Sequence, residues 1–299
     1  MSAHIDRPST NRADDGGSLT VVGTGLQIGQ TTIEARGAIE AADKVFYLVA
    51  DPLTGRWIER LNASAESLYD AYAVGTPRVE SYAQMVARIL APVRAGMRVC
   101  AVFYGHPGVF ALPSHEAVHR AREEGYAARM VPGVSAEDCL FADLGLDPGN
   151  GGLQSFEATE FLLYRRTFDP CVPLVLWQIS VIGEFGYRTD QAADRGGLGV
   201  LIDELVQHYG PDHEVVIYEA ATLPVCGPSI AIVRLADVAT SAVSAVATLF
   251  VPAKPGRVVD QAMARRLGMG PQDAAQQRGV ETTTSGTARN EGMEISATV

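Results

Sequence analysis

The chain has 299 residues, 47% of them hydrophobic and 20% charged, with a formal net charge of -11. That balance suits a globular protein of one large domain or two compact lobes, and the acidic excess argues against general nucleic-acid binding, which needs a basic face. No apolar run approaches the roughly 20 residues that span a bilayer, Met1 to Gly17 carries no apolar signal core, and Cys100, Cys139, Cys171 and Cys226 lack metal-ligand spacing, so a soluble protein of a reducing cytoplasm is expected.

Met1 to Gly17, rich in Asp, Arg, Ser and Gly, reads as a disordered leader. Order is expected from Ser18, where an apolar strand runs into Gly23-Thr24-Gly25. Helical apolar spacing covers Thr31 to Ala42, and Lys44 to Val49 reads as a second strand. Met85 to Ala95 is a helix stopped by Gly96. Val99 to Tyr104 is a strand that breaks into Gly105-His106-Pro107-Gly108. A helix from about Ser114 to Glu124, stopped by Gly125, leads into a strand ending at Met130. Strands alternating with helices predict a largely parallel sheet in a first lobe, 18–133.

The turn Pro132-Gly133-Val134-Ser135 marks the lobe boundary, and Ser135 is placed to cap the next helix with Asp138 in the capping-box position. On that reading Glu137 and Asp138 belong to a helix start rather than to an acid/base pair. The second lobe, 134–255, is more strand-rich. Strands are expected at Val172 to Ile179, Glu214 to Tyr218, Ser229 to Arg234 and Ala247 to Val251, with a helix from Gly199 to His208. Residues 256–299 form a C-terminal extension, polar and mobile from about Gln272.

Two glycine turns invite a functional reading. Gly23-Thr24-Gly25 follows a strand as in dinucleotide-binding folds, but the third glycine would fall at Ile28 and Asp43 precedes the second strand, so close backbone approach is what these glycines establish. Val102-Phe103-Tyr104-Gly105-His106-Pro107-Gly108-Val109-Phe110 is stronger. A buried strand ends in two glycines and a proline interleaved with aromatic side chains, at the carboxyl edge where open α/β sheets bind ligands.

Ser18 to Gly25, the Tyr104–Phe110 loop, Met130-Val131-Pro132-Gly133-Val134-Ser135-Ala136-Glu137 and Leu174-Val175-Leu176-Trp177-Gln178 stand in the order found in tetrapyrrole methylases. Porphyrin methylases usually carry an acidic residue before the loop proline, where this chain has His106. Tyr104 to Phe110, with Pro132 to Leu140, resembles the borosin methyltransferases, which methylate backbone amide nitrogens of a ribosomal peptide. The likeness extends through Asp147-Pro148-Gly149-Asn150, Gln154 to Ala158 and His213 to Ala220, and covers roughly 18 to 270. It implies an α/β, two-lobed tetrapyrrole-methylase (class III methyltransferase) fold that holds S-adenosyl-methionine in the cleft between lobes.

The same resemblance implies a reactive cluster of Tyr69, Tyr72, Arg78, Tyr82 and Tyr104. A backbone amide nitrogen is a poor nucleophile because its lone pair is delocalised into the carbonyl. A tyrosine beside a guanidinium is therefore expected as base or relay (Tyr72 with Arg78). Tyr69 and Tyr82 are expected to bond the peptide carbonyl, and Tyr104 to orient the amide. Cofactor contacts are implied for His106, Val109, Phe110, Ser135, Ala136, Gln178, Tyr218, Ala220 and Thr248. No metal is expected, since methyl transfer from a sulfonium needs none.

Some borosin enzymes carry their substrate as a fused tail after a helical clasp. Here Leu267-Gly268-Met269-Gly270-Pro271 is followed by Gln272 to Val299, whose Thr282–Gly286 and Ile295–Val299 stretches lack an apolar core run. A separate precursor peptide and a homodimer are the expectation. The alternatives are a fused enzyme modifying its own tail, a porphyrinoid or corrin-precursor methyltransferase of the same superfold, and an idle peptide-binding module.

Overall fold

The computed structural model describes residues 16–49, 51–72, 77–184 and 195–270. The expectations for the leader up to residue 15 and for the tail from Gln272 therefore fall outside the described residues.

Five strands form the first sheet: β1 (Ser18–Gly23), β2 (Lys44–Leu48), β3 (Glu66–Ser67), β4 (Arg98–Phe103) and β5 (Ala127–Met130), in the order β3-β2-β4-β1-β5. Every pairing is parallel, as the strand–helix alternation predicts. A parallel sheet needs cover on both faces, and successive residues of β4 show it. Val99, Ala101 and Phe103 pack under α3 (Arg78–Arg94) and α4 (Leu112–Glu123). Cys100 and Val102 face α1 (Ile33–Ala41) and α2 (Pro52–Leu61).

Helix α2 escaped the sequence reading although its start is well marked. Asp51 Oδ1 accepts the Leu53 and Thr54 backbone N–H groups at 2.9 Å each, and Pro52 fills the first turn. Helix α3 begins at Arg78 rather than Met85; in its first turn Val79 and Glu80 are exposed and Arg78 is half-buried, so the turn gives no apolar period to read.

The second sheet contains β6 (Gln154–Glu157), β7 (Leu174–Trp177), β8 (Glu214–Glu219), β9 (Ser229–Arg234) and β10 (Thr248–Val251), in the order β6-β7-β10-β8-β9. Only β6 and β7 run parallel; the other pairings are antiparallel. One face packs on α7 (Arg195–Tyr209) through Leu174, Leu176, Val215, Ile217, Leu249 and Val251. The opposite face carries Val175, Trp177, Val216, Tyr218 and Phe250 against Leu140 of α5 (Ala136–Leu144). Two short helices, α6 (Ala158–Leu163) after β6 and α8 (Gln261–Arg266), and three 3-10 turns at Ile28–Gln30, Tyr69–Ala71 and Leu235–Thr240 complete the described elements.

The predicted capping box is present on α5. Ser135 Oγ accepts the Asp138 N–H at 3.1 Å, and Asp138 Oδ2 accepts the Ser135 N–H at 2.6 Å. Gly145, at φ 64, ends the helix. Among the described residues, the lobes touch where Gln27 Nε2 donates to Ala221 O (3.0 Å), where Gln30 Nε2 donates to Cys139 Sγ (3.4 Å), and where the Phe110 and Trp177 rings lie 6.0 Å apart. Among the described residues no helix is long and apolar enough to cross a membrane.

Candidate active site

The carboxyl ends of β1 and β4 are locked together by glycines. Gly105 N–H donates to Gly25 O (2.8 Å) and Gly25 N–H to Gly105 O (3.3 Å). A Cβ on Gly23 would lie 2.2 Å from Gly105 O, and one on Gly133 2.7 Å from the same oxygen. Gly23 and Gly133 thus let three chain segments touch backbone to backbone, while Gly25 and Gly105 take left-handed φ values of 70 and 67. The Gly23-Thr24-Gly25 turn is a packing device, as the missing third glycine suggested.

The loop that follows is held by its own groups. His106 Nδ1 accepts the Gly108 N–H at 2.9 Å, and Ser114 Oγ bonds Ala111 O at 2.7 Å and also reaches Pro107 O. His106 is therefore engaged in shaping the loop. Phe110, beyond Val109, sits at φ 51 and Gln178 at φ 60. Left-handed conformations are uncommon for such side chains and persist where surroundings enforce them. Both flank the Phe110–Trp177 contact, one from each lobe.

Strand register gathers the second-lobe residues. Leu249 pairs with Leu176, so Thr248 lies level with Trp177 and Gln178, and Thr248 pairs directly with Tyr218, two residues before Ala220. Tyr218 is fully buried and its hydroxyl donates to Asp143 Oδ2 at 2.6 Å. Burial, then that bond, push its ionisation far above the usual tyrosine range. Its side chain is thus part of the wall behind the cleft. Likewise Ser135, beside Ala136, uses its hydroxyl to cap α5.

The tyrosine cluster forms around the start of α3. The Tyr69 and Tyr72 rings are 5.8 Å apart and the Tyr72 and Tyr82 rings 6.3 Å apart, both edge-on. Tyr72 is hydrogen-bonded to Tyr82 and within electrostatic reach of Tyr104 and Arg78. Burial first, then the Tyr82 and Tyr104 phenols, push the Tyr72 ionisation well above the tyrosine range; Arg78 pulls it down and does not prevail. The expected phenolate-favouring guanidinium is present, but desolvation outweighs it. Tyr104 is raised in the same way by burial and Tyr82, again opposed by Arg78. Its side chain is 53% exposed, so the burial that raises its ionisation comes from the protein mass around it rather than from closure of its surface.

Between the lobes opens a cleft of about 590 Å³. Arg78 and Phe110 line one side; β6, α6 and the residues after Trp177, including Gln178, line the other. The structure thus brings Arg78, Phe110 and Gln178 to one cleft, with the tyrosines joined to it through Arg78. Gly105 follows the carboxyl end of β4, Gln178 that of β7 and Ala220 that of β8, while Thr248 opens the antiparallel β10 beside Tyr218, and backbone groups at such strand ends suit a folded nucleoside-type cofactor.

Sequence reasoning missed several supporting groups. Arg88 binds Asp70 Oδ1 (2.6 Å), Glu66 Oε1 (2.5 Å) and Ser67 O (3.0 Å), fastening the Tyr69–Tyr72 segment to α3. Arg88 lies ten residues beyond Arg78 on the same helix, and nothing in the sequence pairs it with Asp70. Asp143, Gln27 and Gln30 were equally silent, whereas Trp177 stood in a quoted motif without a role.

A sequence profile of the tetrapyrrole (corrin/porphyrin) methylases matches residues 18–238. The chain belongs to that family. Solved tetrapyrrole methylase structures share the two-lobed fold: the uroporphyrin-III-C-methyltransferase of Thermus thermophilus superposes with a TM-score of 0.56 at 20% identity, over 79% of this chain and 92% of that one. The methyltransferase CobJ gives 0.51 at 18% identity, over 82% and 97%. Sequence relatives are more similar. A methyltransferase/ribosomally synthesized cyclic peptide gymnopeptides precursor of Gymnopus fusipes is 44% identical over 84% of this chain and 61% of its own length. The corresponding omphalotin A precursor of Omphalotus olearius is 43% identical over 88% and 64%, and a type III borosin cyclic peptide precursor of Anomoporia bombycina is 44% identical over 85% and 30%. This tetrapyrrole methylase spans less than two thirds of the length of each of these relatives.

Proposed function

We propose that this tetrapyrrole methylase transfers methyl groups from S-adenosyl-methionine to backbone amide nitrogens of a ribosomally made peptide. The observation that carries the reading is the cluster of Tyr69, Tyr72 and Tyr82, with Tyr104 and Arg78 in electrostatic reach of Tyr72 and Arg78 itself lining the interlobe cleft. Similarity to relatives named as methyltransferases joined to cyclic peptide precursors supports it.

The His106–Phe110 loop, Ser135, Ala136, Gln178, Ala220 and Thr248 would hold S-adenosyl-methionine, which would supply an electrophilic methyl. The chain's residues must then make the amide nucleophilic. The Tyr72 phenol first loses its proton to solvent hydroxide, and the phenolate, a strong base because its ionisation is raised, then takes the amide proton so that the nitrogen electron pair is free to bond the methyl carbon. Arg78, with Tyr69 and Tyr82, stabilises the negative charge that develops on the carbonyl oxygen. Tyr104 fixes the plane of the amide.

The peptide is proposed to be supplied as a separate precursor, with a substrate tail joined to the chain itself as the alternative that the test below decides. A homodimer is supported by β9, an edge strand whose Ile230 and Ile232 are 42% and 66% exposed, a surface that proteins usually cover or blunt.

The test is mass spectrometry of the purified chain with S-adenosyl-methionine and candidate peptides, alongside its own tail peptides. Methyl increments on backbone amides of a separate peptide support the reading, and increments between Gln272 and Val299 replace the separate precursor with the chain itself. Methylation of a corrin precursor and of no peptide would overturn it.

A further inference from the structure

The loop that the proposed function gives to the cofactor is anchored by a residue outside it. Helix α4 opens with Leu112-Pro113-Ser114-His115, and two of these side chains reach back to the loop. Ser114 Oγ meets both Pro107 O and Ala111 O, but a hydroxyl has one proton and cannot donate fully to two carbonyls. His115 supplies a donor of its own. Its Nε2 lies 2.9 Å from Gly108 O, and because a carbonyl only accepts, the ring carries a proton on Nε2. Gly108 is held on its other sides as well. Its N–H donates to His106 Nδ1 at 2.9 Å, and an added Cβ would lie 3.0 Å from His106 Cε1 and 3.1 Å from Met130 Sδ.

We infer that His115 is a positioning residue for this loop, holding Val109 and Phe110 in the geometry that receives the cofactor. The inference rests on the proposed binding of S-adenosyl-methionine at the loop. The bonds to Gly108 O and Ala111 O bracket Val109 and Phe110, and it is between them that Phe110 takes its left-handed φ of 51. A residue with a Cβ leaves that region unless its neighbours hold it there. Held there, the Phe110 ring stands 6.0 Å from Trp177 across the cleft. Without the His115 bond the Gly108 carbonyl is free to turn, Phe110 relaxes, and the loop is competent for only part of the time. The apparent affinity for the cofactor then falls by that fraction. His119, one helical turn further along α4 and also exposed, pairs with Glu123 at 3.2 Å and has no part in the loop.

The test is calorimetric titration of the full chain with S-adenosyl-homocysteine, beside hydrogen–deuterium exchange of the ligand-free chain, for the wild type, His115→Leu, His115→Gln and His119→Leu. His115 is exposed, so these changes leave the core untouched. His115→Leu should weaken S-adenosyl-homocysteine binding about tenfold, the equivalent of one lost hydrogen bond, and speed exchange of the Val109 and Phe110 amides by about as much. His115→Gln brings an amide N–H to the same oxygen and should stay within about threefold of the wild type, and His119→Leu should match the wild type. Undiminished binding or unchanged loop exchange in His115→Leu would overturn the positioning role, as would a His115→Gln variant no better than His115→Leu. A wild-type chain that binds no S-adenosyl-homocysteine, while His115→Leu alone speeds loop exchange, would remove the cofactor from the loop and leave the anchor standing.

Discussion

The Arg88 guanidinium holds the Asp70 carboxylate at 2.6 Å and, through its other nitrogen, Glu66 at 2.5 Å. This clamp ties the turn bearing Tyr69 and Tyr72 to the helix that carries Arg78 and Tyr82, so the spacing of the cluster depends on a residue that is not part of it. Arg88→Met should cost only about 1 kcal/mol of stability, as the ion pairs are partly exposed. The methyl-transfer rate should fall on the order of tenfold to a hundredfold, because small misplacements of reacting groups are expensive. Thermal melts and single-turnover rates, measured side by side, separate the two effects. A rate loss no larger than the stability loss explains would sink the clamp.

Tyr72 keeps its proton at neutral pH, since burial and its phenol neighbours raise its ionisation. If the amide proton leaves through this phenol, the rate should climb about tenfold per pH unit up to pH 9 without levelling off. Tyr72→Phe should be slow and nearly flat with pH. A wild-type plateau near pH 7 would assign the proton to another group.

Gly23 and Gly37 should respond oppositely to alanine. The Gly23 Cβ would meet the Gly105 carbonyl oxygen at 2.2 Å, backbone that cannot swing aside, so Gly23→Ala should destabilise by about 3 kcal/mol. Gly37 lies in the middle of α1 with nothing within 4 Å of its added Cβ. Gly37→Ala should stabilise by about 0.5–1 kcal/mol through helix propensity. Urea unfolding of the two variants checks both signs.

Tyr209 is buried at 6% exposure, and its hydroxyl finds no hydrogen-bond partner among the described residues. Burial, then Asp169 and Cys171, push its ionisation up to about 12. The unfolded chain ionises this tyrosine near pH 10 while the folded chain keeps its proton. The stability it contributes is therefore intact below pH 10 and is lost as pH rises towards about 12. Tyr209→Phe should flatten that alkaline decline and, at pH 8, be neutral or stabilising by about 1 kcal/mol, since it removes an unpaired polar group from the core. Urea midpoints between pH 8 and 11 decide; a variant as alkali-sensitive as the wild type assigns the decline to other groups.

The sequence by itself determined the strand–helix alternation of the first sheet, the Ser135–Asp138 cap, and the glycine turns at β1 and β4. Each depends on neighbours within a few positions: an apolar period, a capping side chain, a residue without a Cβ. Motif order brought the family and the five members of the tyrosine cluster into view. The first turn of α3 stayed hidden because it carries no apolar period, whereas α2, with Leu53, Trp57, Ile58 and Leu61 at helical spacing behind the Asp51 cap, was legible and was passed over. Only the tertiary structure decided the rest. Arg88 and Asp70, like Tyr218 and Asp143, stand far apart along the chain and are joined by packing. The sign of the Tyr72 shift was equally out of reach, since Arg78 lies close by in sequence but desolvation, which prevails, is a property of the assembled site.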